Sequence, residues 1–238
     1  MIKIQNLCKN FGKVKALDDV SFEIADNQVF ALLGLNGAGK STLIKILCGL
    51  LQKTSGQVFF DELNIEKDLQ KIKALINVSP QDTAIALNLT VKENLMLIAS
   101  LYSIKNANEV TNNLISQFEL ESKTNSLAKK LSGGQKRRLS IAMALVSSPK
   151  FLFLDEPTLA LDIKARKKLW EIITALKSST TIILTTHYLE EAETLADNIA
   201  ILTNGKLKAL GSKTEIINAS GKSSFEEAFL ALSGEDDE

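Results

Sequence analysis

The sequence predicts an α/β fold in which helices cover a mixed, mainly parallel sheet, and three observations support this prediction. Strand-like runs alternate with helical runs along most of the chain, which is the order that parallel strands joined by helices require. A chain of 238 residues can bury roughly 70–75% of its unfolded surface in a core. Residues from about 90 to 147 contain no convincing strand, so we expect a helical insertion over residues 86–149.

The predicted strands follow from apolar patterning. Val20, Phe22 and Ile24 alternate with polar residues, which predicts a strand with one solvated face. The run from Val29 to Leu33 is continuously apolar and precedes a glycine, as expected of a buried central strand. Five further runs have the same character, and Asn204-Gly205 predicts a hairpin turn between the last two: residues 75–78, 151–154, 181–184, 199–202 and 207–210.

The predicted helices are marked by capping signals and by apolar spacing. Thr90 with Glu93, and Ser132 with Gln135, have the form of capping boxes that open helices. Residues 162–177 predict one helix with a single apolar face, formed by Ala165, Leu169, Ile172, Ile173 and Leu176. The basic residues 136–138 are interpreted either as a contact for phosphate or a partner subunit, or as a surface helix. Residues 234–238 predict a solvated tail.

Composition and charge exclude several classes of protein. Lys and Arg together number 28, as do Asp and Glu, so the formal net charge is zero, whereas nucleic-acid binders usually have a basic excess. Cys8 and Cys48 cannot form a disulfide framework, and we expect them to be small buried hydrophobic residues. One histidine, His187, leaves too few ligands for a His/Cys zinc cluster.

No membrane-spanning or secretory segment is predicted. The longest apolar stretch, residues 141–146, is far shorter than the ~20 residues that a membrane span requires. The first six residues lack the charged and apolar regions of a secretory signal. We therefore expect a cytoplasmic protein with no nucleic-acid partner.

Residues 34–41 predict a phosphate-binding loop. They fit the pattern G-x-x-x-x-G-K-[ST] between a predicted buried strand and a predicted helix. The glycines let backbone N–H groups turn inward around an anion, and the helix directs its positive end at the same place. Lys40 supplies a charge for the β- and γ-phosphates, and the Ser41 hydroxyl can ligate Mg²⁺. A chance glycine-rich turn is the alternative.

Two further segments carry chemistry. The apolar strand 151–154 ends in Asp155 and Glu156, where a parallel sheet collects its ligands. Asp155 can face Mg²⁺, and Glu156 can orient or deprotonate water; an acidic helix cap is the alternative. Leu131-Ser132-Gly133-Gly134-Gln135 is a second glycine-rich helix start, interpreted either as a plain cap or as part of a site on another subunit.

Together these motifs resemble the ATP-binding cassette (ABC) transporter subunits over nearly the whole chain. In the expected order, the matches are Walker A at residues 34–41, the Q-loop at Gln81, the signature at residues 131–135, Walker B at residues 151–156, the D-loop at Leu161-Asp162 and the H-loop at His187.

The resemblance implies a P-loop NTPase core with an N-terminal antiparallel β portion and a helical signature subdomain. The chain would then be a single ABC ATP-binding domain over residues 1–238. Residues 1–85 and 150–238 would form the nucleotide-binding core, and residues 86–149 the signature subdomain.

The resemblance also implies site residues, which we carry over by position. The catalytic residues would be Glu156, His187 and Gln81, and the Mg²⁺ ligands Ser41, Gln81 and Asp155. ATP would contact Phe11, Gly34, Leu35, Asn36, Gly37, Ala38, Gly39, Lys40, Ser41 and Thr42 in the same subunit. It would contact Leu131, Ser132, Gly133, Gly134 and Gln135 of the opposite subunit, and Asp162 would join the dimer contact. Phe11, Leu159 and Ile163 depart from the residues most common at their positions.

The partners implied are a second copy, bound when ATP binds, and a separate transmembrane permease, which would hold this chain at the cytoplasmic face of the cell membrane. Residues 135–140 and 187–193 resemble the branch that serves ABC-2-type exporters, which favours export. The alternatives are a soluble ABC-type regulatory ATPase, a small-molecule kinase and a nucleotide-sensing scaffold.

Overall fold

The structure, a computed structural model, describes residues 1–234, so the predicted tail at residues 235–238 lies outside the described residues. Within that range the strands are β1 (Ile2–Phe11), β2 (Val14–Ile24), β3 (Val29–Leu33), β4 (Ser55–Phe60), β5 (Leu63–Asn64), β6 (Ile76–Ser79), β7 (Phe151–Asp155), β8 (Thr181–Thr186), β9 (Asn198–Thr203) and β10 (Lys206–Gly211). The helices are α1 (Lys40–Leu47), α2 (Leu69–Leu75), α3 (Val91–Leu101), α4 (Ala107–Gln117), α5 (Gly133–Leu145), α6 (Ile163–Leu176), α7 (Leu189–Leu195), α8 (Lys213–Ser220) and α9 (Phe225–Ser233).

The larger sheet has six strands in the order β10-β9-β3-β8-β7-β6. Its neighbours pair in parallel except for β10, which pairs antiparallel with β9 across the turn Asn204-Gly205. The mixed, mainly parallel sheet predicted from the sequence is therefore confirmed. Because the carboxyl ends of its parallel strands meet at one edge, the loops after β3, β6, β7 and β8 lie together there.

The smaller sheet is antiparallel, with the strand order β2-β1-β4-β5. In β2 the predicted alternation is confirmed, since Val20, Phe22 and Ile24 are buried while Ser21 and Glu23 are exposed. The sequence pattern did not mark β1, β4, β5 or α2. In β1 the pairing register with β2 shifts between Ile4 and Leu7, and such irregularities break the two-residue period that identifies a strand.

The segment between β6 and β7 is helical, as predicted. It contains α3, α4, α5 and two short 3₁₀ helices, and its β pairing in the described chain is one isolated bridge between Thr90 and Leu127. Both predicted capping boxes are present: Thr90 and Glu93 cap α3, and Ser132 and Gln135 cap α5. These caps supply partners for backbone groups that the first helical turn leaves unpaired.

Two hydrophobic clusters cover the two faces of the larger sheet. In β3, Val29, Ala31 and Leu33 belong to the cluster that the helices α3–α9 complete, whereas Phe30 and Leu32 face the cluster formed with α1 and the smaller sheet. Burial on both faces explains why β3 is apolar at every position. In α6, four of the five predicted apolar residues are buried, and Ala165 is half-buried. No helix among residues 1–234 is long and apolar enough to cross a membrane.

Candidate phosphate-binding site

The predicted phosphate loop joins β3 to α1, and its glycines are required by geometry. Gly37 and Gly39 have φ angles of 85° and 104°, which side-chain-bearing residues rarely adopt. A Cβ atom on Gly39 would lie 2.6 Å from the carbonyl oxygen of Ala16, and one on Gly34 would lie 2.3 Å from that of Leu202. The loop therefore needs glycine for its backbone shape and for its close approach to neighbouring strands.

Helix α1 begins inside this loop without a side-chain cap at Gly39. The N–H groups of its first turn are therefore available to an anion. Lys40 is 6% exposed, and its Nζ donates to the carbonyl oxygens of Gly34 at 2.6 Å and Leu35 at 3.1 Å. Burial lowers the pKa of Lys40, against the opposing effect of Glu156 and Asp155. The loop thus holds a desolvated cation beside a set of N–H donors.

Two carboxylates stand at the end of β7. The Thr185 hydroxyl on β8 donates to the Asp155 carboxylate at 2.5 Å and accepts from the backbone N–H of Glu156 at 3.0 Å. Glu156 has a φ angle of 47°, a left-handed conformation that is uncommon outside glycine and costs energy. Pairing between β7 and β8 therefore fixes Asp155 directly and fixes the turn that carries Glu156.

His187 follows β8 and lies beside Glu156. Its Nδ1 is 2.7 Å from Oε2 of Glu156, and the Glu156 side chain is 11% exposed. Neither atom makes a hydrogen bond with any described residue, and the contact between the two is a close approach only. The ring of Tyr188 packs against the imidazole, with centroids 4.1 Å apart. The structure thus brings the predicted H-loop histidine to the predicted water-activating carboxylate.

One cavity of about 200 Å³ joins the phosphate loop to Gln81 and Glu156, whereas Asp155 and His187 are not among its lining residues. Its lining residues come from the phosphate loop, the start of α1 and the loops after β6 and β7, with one residue from β2: Ala16, Asn36, Gly37, Ala38, Gly39, Lys40, Ser41, Thr42, Gln81 and Glu156. Gln81 is about 40 residues away from the phosphate loop in sequence, and it reaches the cavity because β6 ends at the same edge of the sheet as β3.

The donor set around this cavity fits Mg²⁺. Ser41, Gln81 and Asp155 offer hydroxyl, amide and carboxylate oxygens. Among residues 1–234 no cluster of three or more His, Cys, Asp or Glu side chains could hold a metal. Mg²⁺ is characteristically bound by one or two carboxylates together with substrate phosphates, rather than by a cage of protein ligands.

The signature residues lie elsewhere, on a cavity of about 1030 Å³ that shares no lining residue with the phosphate cavity. Its lining includes Ser132, Gly134, Gln135 and Asp162, whereas Leu131 is buried. The Asp162 side chain accepts from the N–H of Ala165 at 2.9 Å and so caps α6. Ser132 caps α5 and Asp162 caps α6, so both residues have a plain capping role within this chain. The predicted role of the signature residues and Asp162 in a dimer stays a prediction.

Two other residues need comment. Phe11, predicted to stack on adenine, is 49% exposed, and the Lys9 ammonium lies 4.8 Å from its ring centre. The adenine contact stays a prediction. Arg137 belongs to the basic run interpreted either as a contact for phosphate or a partner subunit, or as a surface helix. It is buried and donates to carbonyl oxygens around the site, so the surface alternative is wrong for this residue. The missed signal is helical spacing, since Arg137, Ser140, Ile141 and Ala144 form one buried face of α5.

Comparison with known proteins gives consistent results. Residues 17–159 match the family model described as ABC transporter. The chain is 39% identical over 217 residues to Phospholipid-transporting ATPase ABCA3 of Rattus norvegicus. The aligned region covers 89% of this chain but only 13% of that protein. The chain thus spans about an eighth of that relative's length.

Solved structures agree with the family match. "Structure of ATP binding subunit of ABC transporter" superposes with a TM-score of 0.86 at 30% identity, covering 98% of this chain and 99% of that one. "Dimeric structure of a post-hydrolysis state of the ATP-binding cassette MJ0796 bound to ADP and Pi" superposes with a TM-score of 0.78 at 28% identity, covering 89% and 98%.

Proposed function

This chain belongs to the ABC transporter family and is an ABC-type ATPase domain. On that premise, we propose that it works as an Mg²⁺-dependent homodimer that powers a separate transmembrane protein. The proposed direction of transport is export. The observation that carries the proposal is the cavity that joins the phosphate loop, Gln81 and Glu156. A chain that only bound phosphate would not need the half-buried carboxylate of Glu156 in the same cavity as the phosphate loop.

Nucleotide binding follows from the loop. The uncapped N–H groups of α1 receive the phosphate oxygens, and Lys40 exchanges its carbonyl partners at Gly34 and Leu35 for the β- and γ-phosphates. Ser41, Asp155 and Gln81 would hold Mg²⁺, which neutralises charge on the phosphates when bound. Phe11 offers an exposed aromatic face to the adenine.

Hydrolysis follows from the carboxylate. Glu156 orients a water molecule and accepts its proton while the water oxygen bonds to the γ-phosphorus. The bond from that phosphorus to the β,γ-bridging oxygen breaks, and ADP and phosphate result. His187 Nδ1 lies 2.7 Å from Glu156 Oε2, so the imidazole stands beside the carboxylate, and from there it would hydrogen-bond the γ-phosphate.

The second half of each site would come from another copy. The signature residues and Asp162 lie on a cavity separate from the phosphate loop, so one chain does not bring them to the same nucleotide. A head-to-tail dimer would do so, with Ser132 and Gly134 of one protomer at the γ-phosphate of the other. The similarity to a dimeric cassette bound to ADP and Pi supports this arrangement.

The surface beside Gln81 suits a membrane partner. Leu97, Leu101 and Tyr102 on and after α3 are exposed, and Tyr102 also lines a groove of about 150 Å³ together with Pro80 and Ser140. Exposed apolar patches next to grooves commonly mark interaction sites. We assign residues 1–85 and 150–238 to the nucleotide core and residues 86–149 to the helical part that transmits movement to this partner.

Export is favoured by the resemblance of residues 135–140 and 187–193 to the ABC-2-type exporter branch. The relative ABCA3 is named as a phospholipid-transporting ATPase, which agrees with movement of a substrate across a bilayer. The proposed location is the cytoplasmic face of the membrane, reached through the partner.

The decisive test is Glu156→Gln. The variant should keep its affinity for ATP and lose turnover by about 1,000-fold, because the amide cannot accept the proton of water. Glu66→Gln, which alters an exposed glutamate paired with Lys53, is the matched control and should hydrolyse ATP at the wild-type rate. Unchanged turnover in Glu156→Gln would remove Glu156 as the base.

Two further measurements separate the alternative functions. ATP hydrolysis without any added acceptor would exclude a small-molecule kinase and a non-hydrolysing scaffold. Co-purification of a membrane protein with the tagged chain from detergent-solubilised membranes would support the transporter. Recovery as a membrane-free monomer under all nucleotide conditions would instead favour a soluble regulatory ATPase.

A further inference from the structure

Arg137 is a buried cation that donates to four backbone carbonyl oxygens around the candidate site. Its Nε donates to Pro157 at 2.9 Å, and its Nη2 donates to Asp155 at 2.8 Å. Its Nη1 donates to Pro80 and, at 3.3 Å, to Gln81. The planar guanidinium therefore joins α5 to the loop after β6 and to the loop after β7.

The side chain is held in this place by its burial. Arg137 is 4% exposed, and burial lowers its pKa to about 10, against the opposing effect of Asp155 and Glu191. It is therefore still a cation at neutral pH. Because an unpaired buried cation is very costly, the guanidinium and its carbonyl partners must move together.

The segment that Arg137 holds has little structure of its own. Residues 80–84 are neither helix nor strand, although they carry Gln81 into the phosphate cavity. A second link to α5 lies at the start of this segment, where the hydroxyl oxygens of Ser79 and Ser140 are 3.0 Å apart. The backbone at Gln81 thus takes its position from α5.

We propose that Arg137 is a positioning residue, which fixes the backbone of Gln81 and of residues 155–157 to the helix that begins at the signature. One side chain then holds the loop that carries Gln81 and the loop that carries Glu156 at fixed positions relative to α5. This inference rests on the proposed function for its consequence in catalysis, although the anchoring itself is a property of the folded chain.

Arg138 is a matched control on the same helix. It also donates to backbone carbonyl oxygens, those of Phe118 at 2.9 Å and Glu119 at 3.4 Å. These carbonyls follow α4 and lie outside the phosphate cavity. Loss of Arg138 should therefore cost stability without loosening the segment that carries Gln81.

The first test measures anchoring in the full chain without nucleotide. Endoproteinase Asp-N cuts before Asp82, and the rate of such a cut reports local opening. Arg137→Met should raise this rate about tenfold while cutting before Asp18, inside β2, stays unchanged. Arg138→Met should leave the rate at Asp82 within about twofold of wild type. If Arg137→Met is poorly folded, Arg137→Lys gives the same comparison, because one ammonium cannot reach all four carbonyls.

The second test measures the consequence for catalysis. Arg137→Met should lower kcat about 30-fold and raise the Mg²⁺ concentration needed for half-maximal activity about tenfold. The Kd for ATP measured in EDTA should stay within about threefold, because the phosphate loop does not touch Arg137. Glu66→Gln, the exposed control used above, should leave all three values near those of wild type.

Each outcome decides the proposal. Wild-type cutting at Asp82 in both Arg137 variants, or cutting that rises equally at Asp82 and Asp18, would overturn it, since the side chain would then be dispensable or merely stabilising. Selective cutting at Asp82 supports it. Should the wild-type chain hydrolyse no ATP, the proposed function fails, and the cutting rates still decide whether Arg137 anchors this segment.

Discussion

The phosphate cavity and the signature surface each contain the glycine-rich start of a helix, but only the helix start at the signature has a side-chain cap. At the phosphate loop, α1 begins without a side-chain cap. Its first residue, the buried Lys40, lines the phosphate cavity together with Glu156. At the signature, Ser132 and Gln135 cap α5, and a Cβ atom on Gly133 would meet nothing within 4 Å. The first helix start therefore leaves its backbone N–H groups available to a ligand, whereas the second is already capped by its own side chains.

This difference separates two kinds of energetic demand. The phosphate cavity holds Lys40, a cation whose pKa is lowered by burial. A bound anion would stabilise this buried charge, so the binding of a phosphate group should be strongly favourable there. The signature surface holds no such buried charge, and its cap satisfies the helix without a ligand. We therefore expect substitutions in the phosphate cavity to weaken ATP binding by the monomer strongly, and substitutions on the signature surface to leave that binding nearly unchanged.

The largest effect should come from Lys40→Met. Removal of the buried ammonium from the loop should weaken ATP binding about 100-fold, because a hydrogen bond to a charged group contributes up to about 3 kcal/mol. Hydrolysis should fall about 1,000-fold, since the same charge stabilises the transferring phosphate. Equilibrium binding of a fluorescent ATP analogue and phosphate release measure the two losses.

Ser132→Ala provides the comparison for this prediction. The alanine variant loses the cap of α5 but should bind ATP as a monomer with wild-type affinity, because Ser132 does not line the phosphate cavity. Equal losses of monomer affinity in both variants would contradict the division between the two regions.

The second effect belongs to His187→Ala. Without the imidazole beside Glu156, kcat should fall about 100-fold, whereas the melting temperature should shift by less than about 2 °C, because His187 is half-buried in a loop. Phosphate release and thermal denaturation measure these values. A large loss of stability with only a small loss of turnover would show that His187 is structural.

Contiguous features of this molecule were predictable from the sequence, and long-range ones were not. The strands β3 and β7 were predicted because burial on both faces leaves an unbroken apolar run. The phosphate loop was predicted because eight successive residues carry its pattern. By contrast, β1 was missed because its register shifts disturb the alternation of buried residues.

The candidate site shows the same limit. Gln81 lies near the phosphate loop because the strand order β3-β8-β7-β6 brings the end of β6 to the same edge of the sheet as the end of β3. Local sequence patterns do not specify this strand order. Helical spacing places Arg137 on the buried face of α5, but its hydrogen-bond partners could not be predicted, because they are carbonyls 18 to 57 residues away in the chain. Long-range pairing, rather than local propensity, determines both features.

A smaller effect should distinguish the two signature glycines. Gly133→Ala should stabilise the chain by about 0.5 kcal/mol, because alanine has the higher helix propensity and the space is open. Gly134→Ala should destabilise it by about 1 kcal/mol, because the new Cβ would lie 2.9 Å from Cβ of Ala165 on α6. Urea denaturation of the two variants measures the difference, and equal shifts would show that α5 and α6 are not in close contact.

A similarly small effect on stability concerns Asp162, where a cap and a predicted dimer contact coincide. Asp162→Ala should lower stability by about 1 kcal/mol through loss of the bond to Ala165 N–H, and Asp162→Asn should keep that bond. Ser212→Ala, which removes the cap of α8, should give a similar loss of stability with unchanged hydrolysis. If Asp162→Asn matches wild type in both stability and ATP-dependent dimerisation, the carboxylate is only a cap. If it keeps stability but dimerises several-fold more weakly, the negative charge acts across the dimer, and the open signature surface is an incomplete half of the site.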